Sequence, residues 1–247
     1  MDTSFHSAAL RADLRFEVYL PRGYDTSGKR YPVVYFLHGL PSSDAAYRDV
    51  GFLERALDES GRTAILVAPQ GAHPGDRDPE YLGRWDTAIA RELVRVVDGR
   101  YRTLRSRQGR ALIGLSAGGY GAVHLGLEHL RTFAAVESWS GYFRPTDPSG
   151  TRVLDLGSEA DNARANVHAQ ARRSRALLRK LPTLIAFYVG RDDTRFLAEN
   201  RQLNSELSLA GVPHIFRVYP GGHERALWQR YARPWLGLAL ARLSPAR

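Results

Sequence analysis

Residues that could perform nucleophilic catalysis are spaced along this 247-residue chain, and the first of them is Ser116. It stands in the segment GLSAG (114–118), which has the form G-x-S-x-G. The apolar run ALIGL leads up to the serine and small residues follow it, which predicts a sharp turn from a strand into a helix. Such a turn holds the hydroxyl clear of the backbone, where it can attack a carbonyl carbon, whereas a purely structural serine would only cap the helix.

A serine hydroxyl becomes a good nucleophile only when a neighbouring base takes its proton, and histidine is the usual base. Five histidines follow Ser116 in the chain: His124, His129, His168, His214 and His223. A serine on a strand-to-helix turn is followed along the chain by an acid and then by the histidine. Only His223 comes after a predicted strand end, in the segment VYPGGHE. We therefore predict His223 as the general base.

The base needs a carboxylate that fixes its tautomer and orientation. The predicted strand before the histidine ends in FYVGRDDTRF, which offers Asp192 and Asp193 side by side. Successive residues leave a strand end in different directions, so only one of the two can meet the imidazole. The other is expected to cap the helix that follows. The residues alone leave both aspartates open as the acid.

Attack on a carbonyl creates a negative oxygen, which backbone N–H groups commonly bind. The amide of Ala117, directly after the serine, is the first predicted donor. The second is the amide of Leu40, in the segment YFLHGLPSS, where Gly39 has no side chain to block the substrate. We predict that His38 fastens this loop by hydrogen bonds and is not a second catalytic imidazole.

Three tryptophans, Trp85, Trp139 and Trp228, fall near predicted loops or helix starts. Tryptophan often packs in a core, but such positions also suit the wall of a substrate pocket. Trp139 ends a central predicted strand, so it is our first candidate for a substrate contact.

Apolar, β-branched runs alternate with helical periodicity along the chain, which predicts an α/β fold with a mostly parallel central sheet and helices on both faces. Strands are expected at 14–21, 31–39, 63–71, 110–116, 133–141, 183–190 and 215–222, and helices at 46–59, 86–100, 117–130, 161–180, 194–210 and 224–242. The segment at 14–21 alternates in hydropathy and is predicted to be an antiparallel edge. Ligands of such sheets bind at the carboxyl ends of the strands, where each motif above falls.

We predict a single domain over residues 1–247, with an excursion at 142–180 that forms a lid or faces the substrate. No stretch approaches the roughly 18 apolar residues of a membrane helix, and the first residues are polar. The chain is therefore expected to be cytoplasmic if it is complete as written, and extracytoplasmic if a leader or anchor was removed. Oligomeric state is not predicted.

Composition narrows the chemistry further. The chain has no cysteine, which excludes disulfides, thiolate zinc sites and a cysteine nucleophile. Its formal net charge is +9, but the basic segment AQARRSRALLRKL (169–181) lacks interleaved aromatics, so we predict no nucleic-acid partner and leave open a peripheral contact with an anionic surface. The acidic residues Asp76, Asp78 and Glu80 are interpreted as a polar turn, and no metal or cofactor is predicted.

Several segments together resemble the putative esterase family of α/β-hydrolases, which includes S-formylglutathione hydrolases, feruloyl and acetylxylan esterases and antigen 85 mycolyltransferases. They are RYPVVYFLHGL, ALIGLSAGGYGAVHLGLEH, FAAVESWSGYF and VPHIFRVYPGGHE. The resemblance implies the α/β-hydrolase fold over nearly the full length. Family members carry the acid third after the glycine that ends the strand, which here identifies Asp193. Many have methionine where this chain has Ala117, a change that leaves the backbone donor in place.

The resemblance implies a serine carboxylesterase that forms an acyl-serine intermediate on a small-molecule, lipid or glycan ester. Two alternatives stay open. One is an acyltransferase of the antigen 85 type, which moves an acyl group to a sugar or lipid alcohol, and the other is a catalytically inactive binding protein of the same fold. The lack of cysteine disfavours S-formylglutathione as the substrate, because hydrolases of that thioester often have cysteines near the site.

Overall fold

The computed structural model describes residues 1–40, 46–72, 76, 80–147 and 152–247. Within them, eight strands form one sheet in the spatial order β1-β2-β4-β3-β5-β6-β7-β8. The strands are β1 (Asp2–Ser7), β2 (Ala12–Tyr19), β3 (Val33–Leu37), β4 (Ile65–Pro69), β5 (Arg110–Leu115), β6 (Ala135–Trp139), β7 (Leu184–Gly190) and β8 (Ile215–Tyr219).

Helices connect most of these strands. They are α1 (Tyr24–Ser27), α2 (Gly51–Glu59), α3 (Arg84–Thr87), α4 (Val94–Arg100), α5 (Ala117–Glu128), α6 (Glu159–Ala165), α7 (Val167–Lys180), α8 (Leu197–Leu209) and α9 (Arg225–Arg242). A π-helical stretch, Ala88–Leu93, joins α3 to α4. No helix in the described ranges is long and apolar enough to cross a membrane.

The mostly parallel sheet predicted from the sequence is confirmed. Strands β3 to β8 pair in parallel, whereas β2 pairs antiparallel with β4. The prediction that the segment at 14–21 forms the edge of the sheet was wrong, because β1 pairs antiparallel with β2 and covers it. The sequence DTSFHS of β1 holds a single large apolar residue, Phe5, so it lacks the pattern that marks a buried strand.

Two apolar layers enclose the sheet, and the alternation of strand side chains assigns residues to them. On β3, Val33, Tyr35 and Leu37 face the layer that contains α4 and α5, while Val34 and Phe36 face the layer that contains α2 and α9. All five of these residues are at most 2% exposed. Strands covered on both faces in this way form the rigid platform from which loops can present reactive groups.

The segment at 142–180 contains two helices, α6 and α7, where the sequence predicted one. Asn166 separates them, because its side chain accepts a hydrogen bond from the amide of Ala169 (3.3 Å) and so caps α7. Two basic residues of α7 face acidic residues of neighbouring helices, with Arg172 3.9 Å from Glu206 and Arg173 3.8 Å from Glu128. Helix α7 therefore packs beside α5 and α8. Residues 148–151 of the predicted lid lie outside the described residues.

A buried acid in β6 gives the fold a testable pH dependence. Glu137 is 0% exposed and accepts a hydrogen bond from Trp139 Nε1 (3.0 Å), and burial raises its pKa from 4.5 to about 8. Between those two values the unfolded chain loses the proton while the folded chain keeps it, so this group lowers stability as pH rises through the window. Glutamine does not titrate, so Glu137→Gln does not lose stability in this way. We expect the difference in Tm between Glu137→Gln and the wild type to shift in favour of the variant by at least about 3 °C from pH 5 to pH 8.

Thermal unfolding followed by circular dichroism measures this difference. Glu59→Gln, at an exposed position on α2, is the matched control and should follow the wild type at both pH values. A constant difference between Glu137→Gln and the wild type across this range would contradict the prediction.

Candidate active site

Ser116 occupies the turn between β5 and α5, as the sequence predicted. Its backbone has φ 53° and ψ −120°, a conformation that costs a non-glycine residue roughly 1–3 kcal/mol. Hydrogen bonds hold it there: the Ser116 amide donates to the Trp139 carbonyl (2.9 Å), and the Tyr120 amide donates to the Ser116 carbonyl (3.1 Å). The strained turn projects the hydroxyl out of the sheet edge instead of along the helix.

Glycines on either side of the serine let the turn sit tightly against β3. A Cβ atom at Gly114 would lie 2.1 Å from the carbonyl oxygen of Gly118, and one at Gly118 would lie 1.9 Å from the carbonyl oxygen of Leu37. No side chain fits at such distances, so the pattern G-x-S-x-G has a steric cause here. The contact places the serine beside the loop that follows β3.

Three side chains from three loops form a connected chain of hydrogen bonds. His223, in the loop after β8, has its Nε2 3.0 Å from Ser116 Oγ and its Nδ1 2.8 Å from Asp193 Oδ2. Asp193 follows β7 and is 1% exposed. We assign the imidazole proton to Nδ1, because the carboxylate can only accept; Nε2 is then free to accept from the serine hydroxyl.

The two adjacent aspartates point to different places. Asp193 faces the imidazole with Oδ2, and its Oδ1 accepts a hydrogen bond from the Phe196 amide (3.3 Å) in the turn that leads into α8. Asp192 is exposed, and its amide donates to the carbonyl of Gly221 (2.9 Å). The prediction that the two aspartates divide these roles was wrong, because one carboxylate meets the imidazole and also receives the amide.

The two amides predicted to bind an oxyanion belong to the residue after Ser116 in the chain and to a residue that lines the same cavity as Ser116. Ala117 begins α5, so its N–H precedes the first hydrogen bond of the helix, and Leu40 lines a cavity together with Ser116. Over the described residues, neither amide donates to a protein acceptor. Pro41 to Ala45, the continuation of the Leu40 loop, lie outside those residues.

His38 holds this loop in place, which confirms the role predicted for it. Its Nδ1 donates to the Gly39 carbonyl (2.9 Å) and its Nε2 accepts from the Gly71 amide (3.0 Å). The Tyr81 hydroxyl donates to the His38 carbonyl (2.6 Å). Both ring nitrogens are thus engaged with backbone, and the Leu40 amide is attached to a fixed framework.

A cavity of about 280 Å³ opens over Ser116 and His223. Its apolar walls combine residues of both sheet layers with the loops that carry the hydrogen-bonded chain: Phe36, Leu40, Phe52, Leu115, Phe196 and Trp228. Charged and polar side chains also line it: Asp49, Tyr142, Thr146, Asp147, Arg195 and Arg225. The predicted excursion thus reaches the cavity only through its first residues, up to Asp147, among those described.

The prediction that Trp139 contacts the substrate was wrong. Trp139 is 0% exposed and packs against Phe36 (ring centroids 6.1 Å apart) and Trp235 (5.1 Å) between the sheet and α9. The tryptophan at the cavity is Trp228, whose Nε1 donates to Ser140 Oγ (3.0 Å) and whose ring meets the His223 ring edge to face at 5.1 Å. Its position in the first turn of the helix after His223 was the available sequence signal.

An acid that the sequence suggested was part of a polar turn is instead buried next to the cavity. Glu80 is 6% exposed and its Oε1 accepts from the hydroxyl of Tyr142 (2.6 Å), while burial raises its pKa to about 8. Asp78, in the same predicted turn, lies outside the described residues. Glu80 therefore orients a tyrosine that lines the cavity.

Comparison with protein families gives one match that spans most of the chain. The family model described as "Putative esterase" matches residues 7–231. That range contains the strand-to-helix turn of Ser116 and the loops that carry Asp193 and His223.

Curated relatives share moderate identity with the chain. A protein of Mycobacterium tuberculosis (strain ATCC 25618 / H37Rv) named "Esterase Rv1288" is 29% identical over an alignment 248 residues long, and the alignment covers 89% of this chain and 54% of the relative. The chain thus spans about half the length of that relative. A protein of Caldicellulosiruptor saccharolyticus named "Acetyl esterase" is 23% identical, with 94% of each chain covered.

Solved structures share the fold over nearly the whole chain. A ferulic acid esterase has a TM-score of 0.82 at 24% identity and covers 98% of this chain and 97% of its own. The S-formylglutathione hydrolase FrmB of Staphylococcus aureus has a TM-score of 0.80 at 20% identity and covers 97% and 98% respectively. At these identities the likeness concerns the fold.

Proposed function

The chain belongs to the esterase family whose model it matches, and from that premise we propose that it is a serine carboxylesterase acting through a covalent acyl-serine intermediate. The observation that carries the proposal is the chain of hydrogen bonds Asp193–His223–Ser116 at the floor of a cavity, with links of 2.8 Å and 3.0 Å. These distances lie within the range needed for proton transfer between a nucleophile and its base. The family assignment supports ester hydrolysis as the reaction.

In the acylation half-reaction, Ser116 Oγ attacks the carbonyl carbon of the ester while its proton passes to His223 Nε2. The carbonyl oxygen becomes an oxyanion that the amides of Leu40 and Ala117 bind. The tetrahedral intermediate then breaks its bond to the alcohol oxygen, and His223 returns the proton to that oxygen. The alcohol leaves, and the acyl group stays on the serine as an ester.

In the deacylation half-reaction, a water molecule takes the place of the alcohol. His223 removes a proton from the water as its oxygen attacks the acyl carbon, and the same amides bind the second oxyanion. Collapse breaks the bond to Ser116 Oγ, which recovers the proton from His223. Asp193 stabilises the imidazolium in both halves without taking its proton.

Two aromatic rings fix the plane of the imidazole during these transfers. Phe196 and Trp228 each meet the His223 ring at 5.1 Å, with interplanar angles of 65° and 88°. Edge-to-face contacts of this kind stabilise one orientation of the ring. His223 therefore keeps Nε2 directed at the serine between the two half-reactions.

The proposed substrate is a small carboxylic ester whose carbonyl can reach Ser116. The names of similar proteins include acetyl esterase, ferulic acid esterase and S-formylglutathione hydrolase, so the acyl groups and alcohols handled on this fold vary widely. We propose water as the acceptor, with an alcohol acceptor as the alternative that an assay can separate.

The experiment that tests the proposal is pre-steady-state hydrolysis of p-nitrophenyl esters of increasing acyl length. We expect a burst of p-nitrophenol equal to the enzyme concentration for the best ester, because the acyl-enzyme accumulates when deacylation is slower than acylation. Added glycerol or trehalose should leave free acid as the main product. Failure to hydrolyse any ester of the series would overturn the proposal, and a transfer product in excess of acid would make the chain an acyltransferase.

A further inference from the structure

The charged residues that line the cavity differ in whether they are paired. Asp49 and Arg225 face each other as a bidentate pair, with Arg225 Nη2 2.7 Å from Asp49 Oδ1. Asp147 lies 3.8 Å from Arg152 Nε. Within the described residues, Arg195 forms no ion pair, and its guanidinium lies instead over the ring of Phe196, 5.1 Å from the centroid. Among the described residues that line the cavity, Arg195 is therefore the arginine whose charge has no ion-pair partner.

The position of Arg195 in the cavity indicates which part of an ester substrate would lie next to it. Its ring contact, Phe196, is also the ring that meets His223 at 5.1 Å. Under the proposed function, His223 delivers a proton to the departing alcohol, so the alcohol must lie on the His223 side of the cavity. The amides of Leu40 and Ala117 hold the carbonyl oxygen on the other side. Arg195 is therefore beside the alcohol portion of the ester.

An arginine in such a place suits a carboxylate or phosphate. Its planar guanidinium donates several hydrogen bonds to either anion, and stacking on Phe196 restricts its orientation before the ligand arrives. A neutral alcohol would leave that charge without a partner. Phe196, which contacts both the Arg195 guanidinium and the His223 ring, can cover the carbon skeleton that joins the anion to the ester oxygen.

We infer that Arg195 selects esters whose alcohol portion carries an anionic group. This inference rests on the proposed function, and it names a substrate class that the triad alone does not define. The second arginine among the described lining residues, Arg225, is paired with Asp49, so selectivity for the anion is assigned to Arg195. The charge acts in binding and orientation of the leaving alcohol and takes no part in the transfer of protons.

A matched pair of acetate esters tests the inference. 4-Acetoxybenzoate carries a carboxylate on its alcohol portion at pH 7.5, and 4-acetoxybenzamide has a neutral amide at the same position. We expect the wild type to prefer the anionic ester in kcat/KM, and Arg195→Gln to lower the ratio of anionic to neutral kcat/KM about fivefold, the upper range for an ion pair at an exposed site. Raising the salt concentration should reduce the preference of the wild type.

Arg191→Gln is the matched control, because Arg191 is an exposed arginine of the same loop that does not line the cavity. It should keep the wild-type ratio of anionic to neutral kcat/KM, and its kcat/KM for the neutral ester should match that of the wild type. The inference is overturned if Arg195→Gln keeps the wild-type ratio of anionic to neutral kcat/KM, or if this ratio falls equally in both variants. In either case, hydrolysis that is lost on removal of the Ser116 hydroxyl would still support the proposed function. No hydrolysis of either ester by the wild type overturns both.

Discussion

Ser116→Ala is expected to lower kcat for p-nitrophenyl acetate by about 10⁴-fold or more, because the variant has no oxygen that can form the acyl bond. The cavity and the amides proposed to bind the oxyanion stay intact, so a small rate above that of water should remain. The KM should change much less than kcat, since the hydroxyl is proposed to act in bond formation and not in ground-state binding. Steady-state kinetics with carefully purified protein measures both quantities.

The variant must be folded for this result to be informative. Alanine has the same Cβ as serine, so the strained φ of 53° at position 116 is kept and the Tm should stay close to that of the wild type. Ser205→Ala, at an exposed position of α8, is the matched control and should keep full activity. Hydrolysis by Ser116→Ala at more than a few per cent of the wild-type rate would show that another group performs the attack.

The architecture could be predicted from sequence wherever burial leaves a regular pattern. Strands such as β3 and β4 are apolar at every position, since both faces are covered, and they were placed within a few residues of their bounds. β1 was missed because it is an edge strand with a largely exposed face, where hydrogen bonding to β2 and not burial defines the strand. Local hydropathy carries no information about that pairing.

The prediction of a helix boundary was wrong where a polar side chain determines the boundary. Asn166 ends one helix and caps the next inside a segment whose periodicity continues through it. Side-chain hydrogen bonds of this kind compete with the helix at single positions, which an average over a window does not detect.

At the site, the sequence indicates which residues stand at strand ends, but not which way each side chain points. Ser116 and His223 could be found because each stands at the carboxyl end of a strand of a parallel sheet, and the fold brings those ends together. Trp139 also stands at a strand end, yet its side chain points between the sheet and α9, into the core. Which way the last residue of a strand faces depends on its register with neighbouring strands, and the sequence of the strand alone leaves that open.

The choice between Asp192 and Asp193 has the same cause and can be tested by amide substitution. Asp193→Asn is expected to lower kcat by about 10⁴-fold. Oδ1 of Asp193 accepts the amide proton of Phe196, so the asparagine should keep its oxygen on that side and turn its NH₂ group toward His223. The imidazole would then accept at Nδ1 and carry its proton on Nε2, where it cannot accept the proton of Ser116. Steady-state kinetics of the variant measures the loss.

Asp192→Asn makes the same chemical change one residue away and should alter kcat less than about twofold, because an exposed side chain without a contact to the imidazole leaves its tautomer unaffected. The pair of variants therefore separates a tautomer effect from a general loss of negative charge near His223. If Asp192→Asn shows the larger loss, the loop rearranges on substrate binding and the acid has been assigned to the wrong residue. If both variants keep wild-type kcat, His223 works without a carboxylate partner, and the proposed mechanism loses the group that stabilises its imidazolium.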